Sequence, residues 1–159
     1  MRALLRSFQY ALDGLAHALV TQRNMRIHFA AAFVVVILCA MLQVDAFEIL
    51  SVLSSITLVM ALELVNTSIE HVVDLLTQEH RRAAKIAKDV AAAAVFMSAV
   101  NAVVVAYLVF YDKLDPARWR APASLLQAPY PGVLLVGAIF LIVATAAHAL
   151  RIRQVKSDD

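Results

Sequence analysis

The sequence predicts an all-α membrane protein: an N-terminal amphipathic surface helix, a three-helix core and an additional fourth transmembrane helix. Three observations predict it. Hydrophobic residues make up 62% of the 159 positions and charged residues only 16%, against about 45–50% and about 25% in soluble domains. The apolar residues gather into four long runs. The few charges gather between those runs. Such a composition excludes an ordinary soluble domain and a disordered chain. The three glycines, Gly14, Gly132 and Gly137, cannot build a glycine-rich phosphate loop. The single cysteine, Cys39, excludes a disulfide framework or a cysteine metal site within the chain. A net charge of +2 is too small to suggest a nucleic-acid partner.

The runs define the spans. Residues 27–44 hold no Asp, Glu, Lys or Arg. Residues 47–76 form a longer helical run whose charge-free part is Ile49 to Leu62. Val90 to Tyr111 gives 22 uncharged residues and Pro131 to Leu150 gives 20 more. A bilayer core needs about 20 apolar residues as helix. Its lack of water forces backbone groups to pair within the segment, so the runs are helices. The first two meet in a tight turn at Val44–Ala46 and should form an antiparallel hairpin.

Charge sets the expected orientation. Arg2, Arg6, Arg23, Arg26, Arg81, Arg82, Lys85, Lys88, Arg151, Arg153 and Lys156 fall on one side. These are eleven of the fourteen basic residues, and only Lys113, Arg118 and Arg120 fall on the other. The positive-inside rule then places both termini and the 77–89 connection of this multi-pass membrane protein in the cytoplasm. The proline-rich loop 112–130 faces outward. Residues 1–21 differ from the spans. Leu5, Phe8, Leu12, Leu15 and Leu19 recur on one helical face, and Arg2, Arg6, Gln9, Asp13 and His17 on another. That pattern suits a helix lying on the inner membrane surface. Asp13 and His17 interrupt any signal-peptide core.

The chemistry concentrates in MALELVNTSIEHVVDLL, residues 60–76. A helix places Glu63, Asn66, Glu70 and Asp74 within about 80° of one another, one above the next. Glu63 stands at the inner end of the apolar run. A carboxylate there costs about 2.5 kcal/mol or more in lipid, so it faces protein, water or a metal. Two glutamates with an amide between them can divide two tasks, holding a divalent cation and taking a proton. The plain alternative is a polar seam between packed helices, with Asn66 as an interhelical hydrogen-bonding group and Asp74 already in water. Lys85, Lys88 and Asp89 follow across a short connection. Basic residues at a cytoplasmic boundary need no function of their own. Brought back beside Glu70, Lys88 and Asp89 instead complete a set suited to phosphoryl transfer, which depends on positioning and charge neutralisation.

The segments RSFQYALDGL, NMRIHF, ALELVNTSIEHVVDLL and AKIAKDVAAAAV resemble the small bacterial integral-membrane diacylglycerol kinase family. The NMRIH wording is most similar to its undecaprenol kinase branch. The resemblance covers roughly residues 3–111. It implies a homotrimer with shared active sites, ATP as phosphate donor with Mg²⁺, and a membrane lipid alcohol as acceptor, undecaprenol first and diacylglycerol second. It implies Glu63 as catalytic base with Asn66 beside it, and Glu70 as a metal-binding glutamate. Tyr10, Glu79, His80, Arg81, Lys88 and Asp89 fall on nucleotide-binding positions. Arg6 and Glu63 fall on acceptor-binding positions.

Two departures stand out. Gln22 occupies a position where the family usually carries a glutamate as second metal ligand, so Gln22 is expected at the metal and nucleotide as a weaker neutral ligand. Residues 131–150 extend beyond the usual end of the family, and an anchoring helix is the simplest reading of them. A rival of another class is a transporter or assembly subunit that uses Glu63 and Glu70 as a cation or proton relay. Such a relay needs a polar path across the membrane, and Ser98 and Asn101 are the only polar groups deep in the third span.

Overall fold

The structure, a computed structural model, describes residues 2–42, 44–77, 79, 81–113 and 145. Their regular structure is helical: α1 (Arg2–Thr21), α2 (Arg23–Leu42), α3 (Ala46–Leu76), α4 (Arg82–Phe110) and a closing 3₁₀ turn, Tyr111–Lys113. Three of these helices, α2, α3 and α4, are long and apolar enough to cross a membrane. The expected fourth span, 131–150, lies outside the described residues apart from Thr145, as does the proline-rich loop beyond Lys113.

The helices begin earlier than the apolar runs do. α2 starts at Arg23 rather than at Ile27, and α4 at Arg82 rather than at Val90. Basic side chains are good helix formers, so the helix ends where backbone pairing stops and not where hydrophobicity stops. The 31 residues of α3 rise about 46 Å, well beyond a hydrocarbon core of about 30 Å. Its last turns, carrying Glu70 and Asp74, therefore project past the apolar layer. Hydroxyl groups along α3 are absorbed by the helix itself: Ser51, Ser55, Thr67 and Ser68 each donate to the carbonyl four residues back, at 2.9–3.0 Å. That leaves few polar demands on its neighbours.

Two apolar clusters hold the helices together, one at each end. The first joins Cys39, Val44, Val52, Val109 and Phe110. The second joins Ala18, Leu19 and Met25, with Leu15, Phe29, Met60 and Leu64 packed against it. α4 runs along α3 in the most extensive helix pairing, whereas α2 and α4 barely meet. α1 turns sharply into α2 at Gln22, the single non-helical residue between them. The Gln22 amide donates to Ala18 O at 2.8 Å, and the Arg26 guanidinium donates to Val20 O at 3.2 Å. These bonds occupy carbonyls that α1 leaves open at its end. Only the second half of α1 is packed: Ala16, Ala18 and Leu19 are buried, whereas Leu5 and Phe8 remain more than 60% exposed.

At the other end a capping box starts α3. Asp45 accepts from the Glu48 amide at 2.9 Å, and the Glu48 carboxylate accepts from the Asp45 amide at 2.7 Å. Glu48 also pairs with Lys113, which ties the start of α3 to the end of α4. An N-cap of this kind is worth about 1 kcal/mol. Replacing Asp45 by Ala should lower the stability of the detergent-solubilised protein by about that amount, measured by denaturant titration followed by circular dichroism.

Candidate functional site

The site is built on the projecting end of α3. Glu63 is only 2% exposed, and its carboxylate accepts no hydrogen bond from the described residues. The corner between α1 and α2 covers it, because Ala18, Leu19 and Met25 pack on Met60 and Leu64. His28 of α2 and Glu70 are ionisable groups that act on it electrostatically. One turn further, Asn66 is 7% exposed and donates its amide to the Glu70 carboxylate at 2.9 Å. Among the described residues the Asn66 side-chain oxygen is buried without a partner. An orphaned buried acceptor costs about 1–3 kcal/mol, so this carbonyl suits a donor or a cation. His71 Nδ1–H donates to Thr67 O at 2.8 Å, and its ring meets the His17 ring edge-on at 5.9 Å. That contact lays α1 along α3.

Below this column the α3–α4 connection encloses a cavity of about 740 Å³, within the size range of small-molecule sites. Asp74, Glu79, Arg81, Arg82, Lys85, Lys88 and Asp89 line it, with Val73, Thr77 and Ala84. Four cations thus face three carboxylates. Lys88 pairs with Asp74 at 2.6 Å, Lys85 with Asp89 at 2.6 Å and Arg81 with Glu79 at 2.9 Å. Arg82 has no carboxylate partner among the described residues. A cavity lined this way attracts an anion, and its lysines are held by contacts that an anion could replace.

The structure places the expected residues in three groups. Glu63, Asn66 and Glu70 form the column on α3. Glu79, Arg81, Lys88 and Asp89 line the cavity. Gln22 stands half-buried at the α1–α2 corner. The sequence reading brings Lys88 and Asp89 back near Glu70; in the structure Lys88 pairs with Asp74, one helical turn beyond Glu70, and Asp89 pairs with Lys85. Tyr10 is 71% exposed and Arg6 is exposed, and neither lines the cavity within one chain. His80 lies outside the described residues. Asp74, Arg82 and Lys85 also line the cavity, although sequence reasoning named them without giving them a role in the site. Lys85 and Asp89 were legible as an i,i+4 pair, but the fourteen-residue separation of Asp74 and Lys88 gave no such signal.

Among the described residues no three His, Cys, Asp or Glu side chains gather as a ready metal site. The donors that are present, the Glu70 carboxylate and the orphaned Asn66 oxygen, are hard oxygens. They suit Mg²⁺, which takes few protein ligands and completes its shell with water and phosphate.

Comparison with known proteins decides what kind of chain this is. Residues 9–110 match the family model described as prokaryotic diacylglycerol kinase. The chain belongs to this family. A diacylglycerol kinase of Synechocystis sp. is 45% identical over 103 residues, covering 64% of this chain and 59% of the relative. The undecaprenol kinase of Bacillus subtilis is 39% identical over 109 residues, covering 69% of this chain and 89% of the relative. The diacylglycerol kinase of Escherichia coli K12 is 32% identical over 101 residues, covering 64% and 83%. The match thus spans less than two thirds of the Synechocystis protein but most of the other two.

The matched region contains the whole column and the whole cavity, so the site belongs to the family core. Because the Lys88–Asp74 pair is substantially exposed, at 36% and 65% of the side chains, it contributes little to folding, about 1 kcal/mol at most. Asp74→Asn should therefore leave the thermal denaturation midpoint in detergent nearly unchanged, as followed by circular dichroism. A large drop would mean that the pair holds α3 and α4 together.

Proposed function

We propose that the protein is an ATP-dependent kinase of a membrane lipid alcohol, working at the inner face of the bacterial cytoplasmic membrane. The observation that carries this reading is the stack of Glu63, Asn66 and Glu70 on one helix, with the deepest carboxylate buried at the apolar boundary and a charged cavity below it. Family membership supports it. The curated relatives are named for diacylglycerol and undecaprenol as acceptors. Undecaprenol is the first choice for this chain and diacylglycerol the second. Basic residues concentrate at the Glu63 end, which puts that end and both termini in the cytoplasm.

The acceptor presents one hydroxyl at headgroup depth. Glu63 takes its proton as the oxygen attacks the terminal phosphate of ATP. Enclosure under the α1–α2 corner keeps water from competing for that phosphate. Asn66 holds the Glu70 carboxylate in place through its amide. ATP occupies the charged cavity, where Lys88 exchanges Asp74 for phosphate oxygens, and Glu79, His80, Arg81 and Asp89 border the nucleotide. Mg²⁺ would be held by Glu70 with Gln22 and, when bound, neutralises phosphate charge. The bond between the terminal phosphorus and the oxygen it shares with ADP breaks as the new one forms, and departure of ADP, release of the phospholipid and loss of the proton from Glu63 to water complete the turnover. Tyr10 and Arg6, remote from the cavity in one chain, reach a nucleotide and an acceptor if the kinase is a homotrimer with shared sites.

Among the described residues the relay alternative finds little of a polar path. Ser98 is buried, but its hydroxyl is spent on Val95 O at 2.7 Å, and Asn101 points outward on α4. The direct assay offers undecaprenol and diacylglycerol together in membranes with labelled ATP and separates the products by thin-layer chromatography. A labelled phospholipid is expected, and ion flux without ATP turnover would favour a relay.

Two variants test the roles. Glu63→Gln keeps the shape and removes the base, so turnover should fall about 10²–10⁴-fold while the protein still folds. Near-normal turnover would remove Glu63 from its role. Gln22→Glu adds charge where the metal is expected and should lower the free Mg²⁺ needed for half-maximal rate, with ATP and lipid held fixed. An unchanged Mg²⁺ response would place Gln22 away from the metal.

A further inference from the structure

His17 and His71 belong to different helices, α1 and α3, and the fold brings their ring centroids to 5.9 Å. No spacing along the chain announces the pair, and the reaction above uses neither ring. His71 is held in one orientation. Its Nδ1–H donates to Thr67 O at 2.8 Å. Thr67 is itself buried, and its hydroxyl donates to Glu63 O at 2.9 Å. With the proton fixed on Nδ1, the neutral ring carries its lone pair on Nε2. Metal-binding histidines are oriented in this way, one ring nitrogen on a backbone carbonyl and the other left to the metal.

The surroundings of the pair fit a cation. Thr21 bonds to the backbone carbonyl of His17 and not to its ring. His17 and His71 are both exposed, so an ion reaches them from solvent. A zinc-class cation binds an imidazole nitrogen at about 2.0–2.1 Å, which puts two rings that share one ion about 5–6.5 Å apart between centres. The observed separation lies inside that interval. The ring planes stand 68° apart, so the rings are not stacked and one presents its edge, where the nitrogens are. Asp13 lies one turn before His17 on α1, and Glu70 and Asp74 lie beside and one turn beyond His71 on α3. Of the basic groups at this end, Lys88 is committed to Asp74 and Arg26 to Val20 O.

We propose that His17 and His71 form a two-histidine site for a divalent cation of the Zn²⁺, Ni²⁺ or Cu²⁺ class, with water completing its shell. Imidazole suits such ions, whereas Mg²⁺ takes oxygen ligands, so this pair and the Glu70 column select different metals. α1 joins the bundle at Gln22 and is packed only through its second half. An ion shared by the two rings therefore clips the surface helix onto the helix that carries Glu63.

The test uses the full-length, tag-free protein in detergent, stripped of metal with a chelator and titrated with Zn²⁺ alone by calorimetry. One equivalent should bind per chain. His17→Gln and His71→Gln each exchange an exposed ring for an exposed amide, and each should weaken that binding at least tenfold with an unchanged circular dichroism spectrum. The double variant should bind no more weakly than either single one, because the first substitution already breaks the pair. Zn²⁺ should also raise the thermal midpoint of the unaltered protein and not that of the variants. Equal affinity in the unaltered protein and in either folded variant would overturn the proposal. So would binding that survives both histidine substitutions and is lost in Glu70→Gln, which would put the ion on the acidic column. Copper reads the ligands directly. The electron paramagnetic resonance spectrum of the Cu²⁺-loaded protein should show two nitrogen donors, and one in His17→Gln. A spectrum with oxygen donors alone, or one that His17→Gln leaves unchanged, would overturn the pair even where an ion binds.

Discussion

Glu63 has to be kept out of hydrocarbon, and the arrangement of the other helices follows from that constraint. A carboxylate at the boundary of the apolar layer is costly unless protein or water encloses it. α3 alone cannot enclose it. The corner between α1 and α2 folds over it, pinned by Ala18, Leu19 and Met25 on Met60 and Leu64. The half of α1 beyond that contact has no packing partner among the described residues, and its leucines and Phe8 stay exposed. The surface helix is thus anchored where the carboxylate needs cover and free where it does not.

The same end of the molecule shows how a polar site can adjoin a membrane core without dissolving it. α3 carries both. Within the apolar layer Ser51 and Ser55 bond back to carbonyls of the helix itself. Past that layer its carboxylates find partners on other residues: Glu70 from Asn66 and Asp74 from Lys88. The two functions share one helix because the helix is about half again as long as the hydrocarbon is thick. What the outer clamp of Asp45, Glu48 and Lys113 contributes at the other end is alignment, since it fixes where α3 starts relative to the end of α4.

Packing at the two ends and emptiness between them are connected. Large side chains, among them Leu19, Met25, Phe29 and Phe110, gather in the end clusters. Between them α2, α3 and α4 leave a cavity of about 290 Å³ whose α2 and α4 walls mix Ala31, Ala32, Ala99, Ala102 and Ala106 with Val35, Val103 and Val105. In a membrane, small residues usually bring helices into close approach. Here α2 and α4 stay apart, because the end clusters set their separation and the alanines are too short to close it.

The sequence by itself determined the helical class, the surface helix and the three spans of the described core, because a water-free layer permits little else and the apolar runs are long enough to name. It also determined that Glu63, Asn66, Glu70 and Asp74 share a face, since helix periodicity is a local property. The motif wording was enough to indicate the family, which the comparisons establish. Tertiary structure decided what periodicity cannot reach. The turn between α3 and α4 gave Lys88 to Asp74 instead of Glu70, a matter of how the chain reverses over residues 77–81. The buried, unpartnered oxygen of Asn66 depends on what surrounds it. The cavity between α2 and α4 exists only as a mismatch between the two ends and the middle of the bundle. Each of these is a relation between residues on different elements, or between a side chain and its surroundings, and no spacing along one helix encodes it.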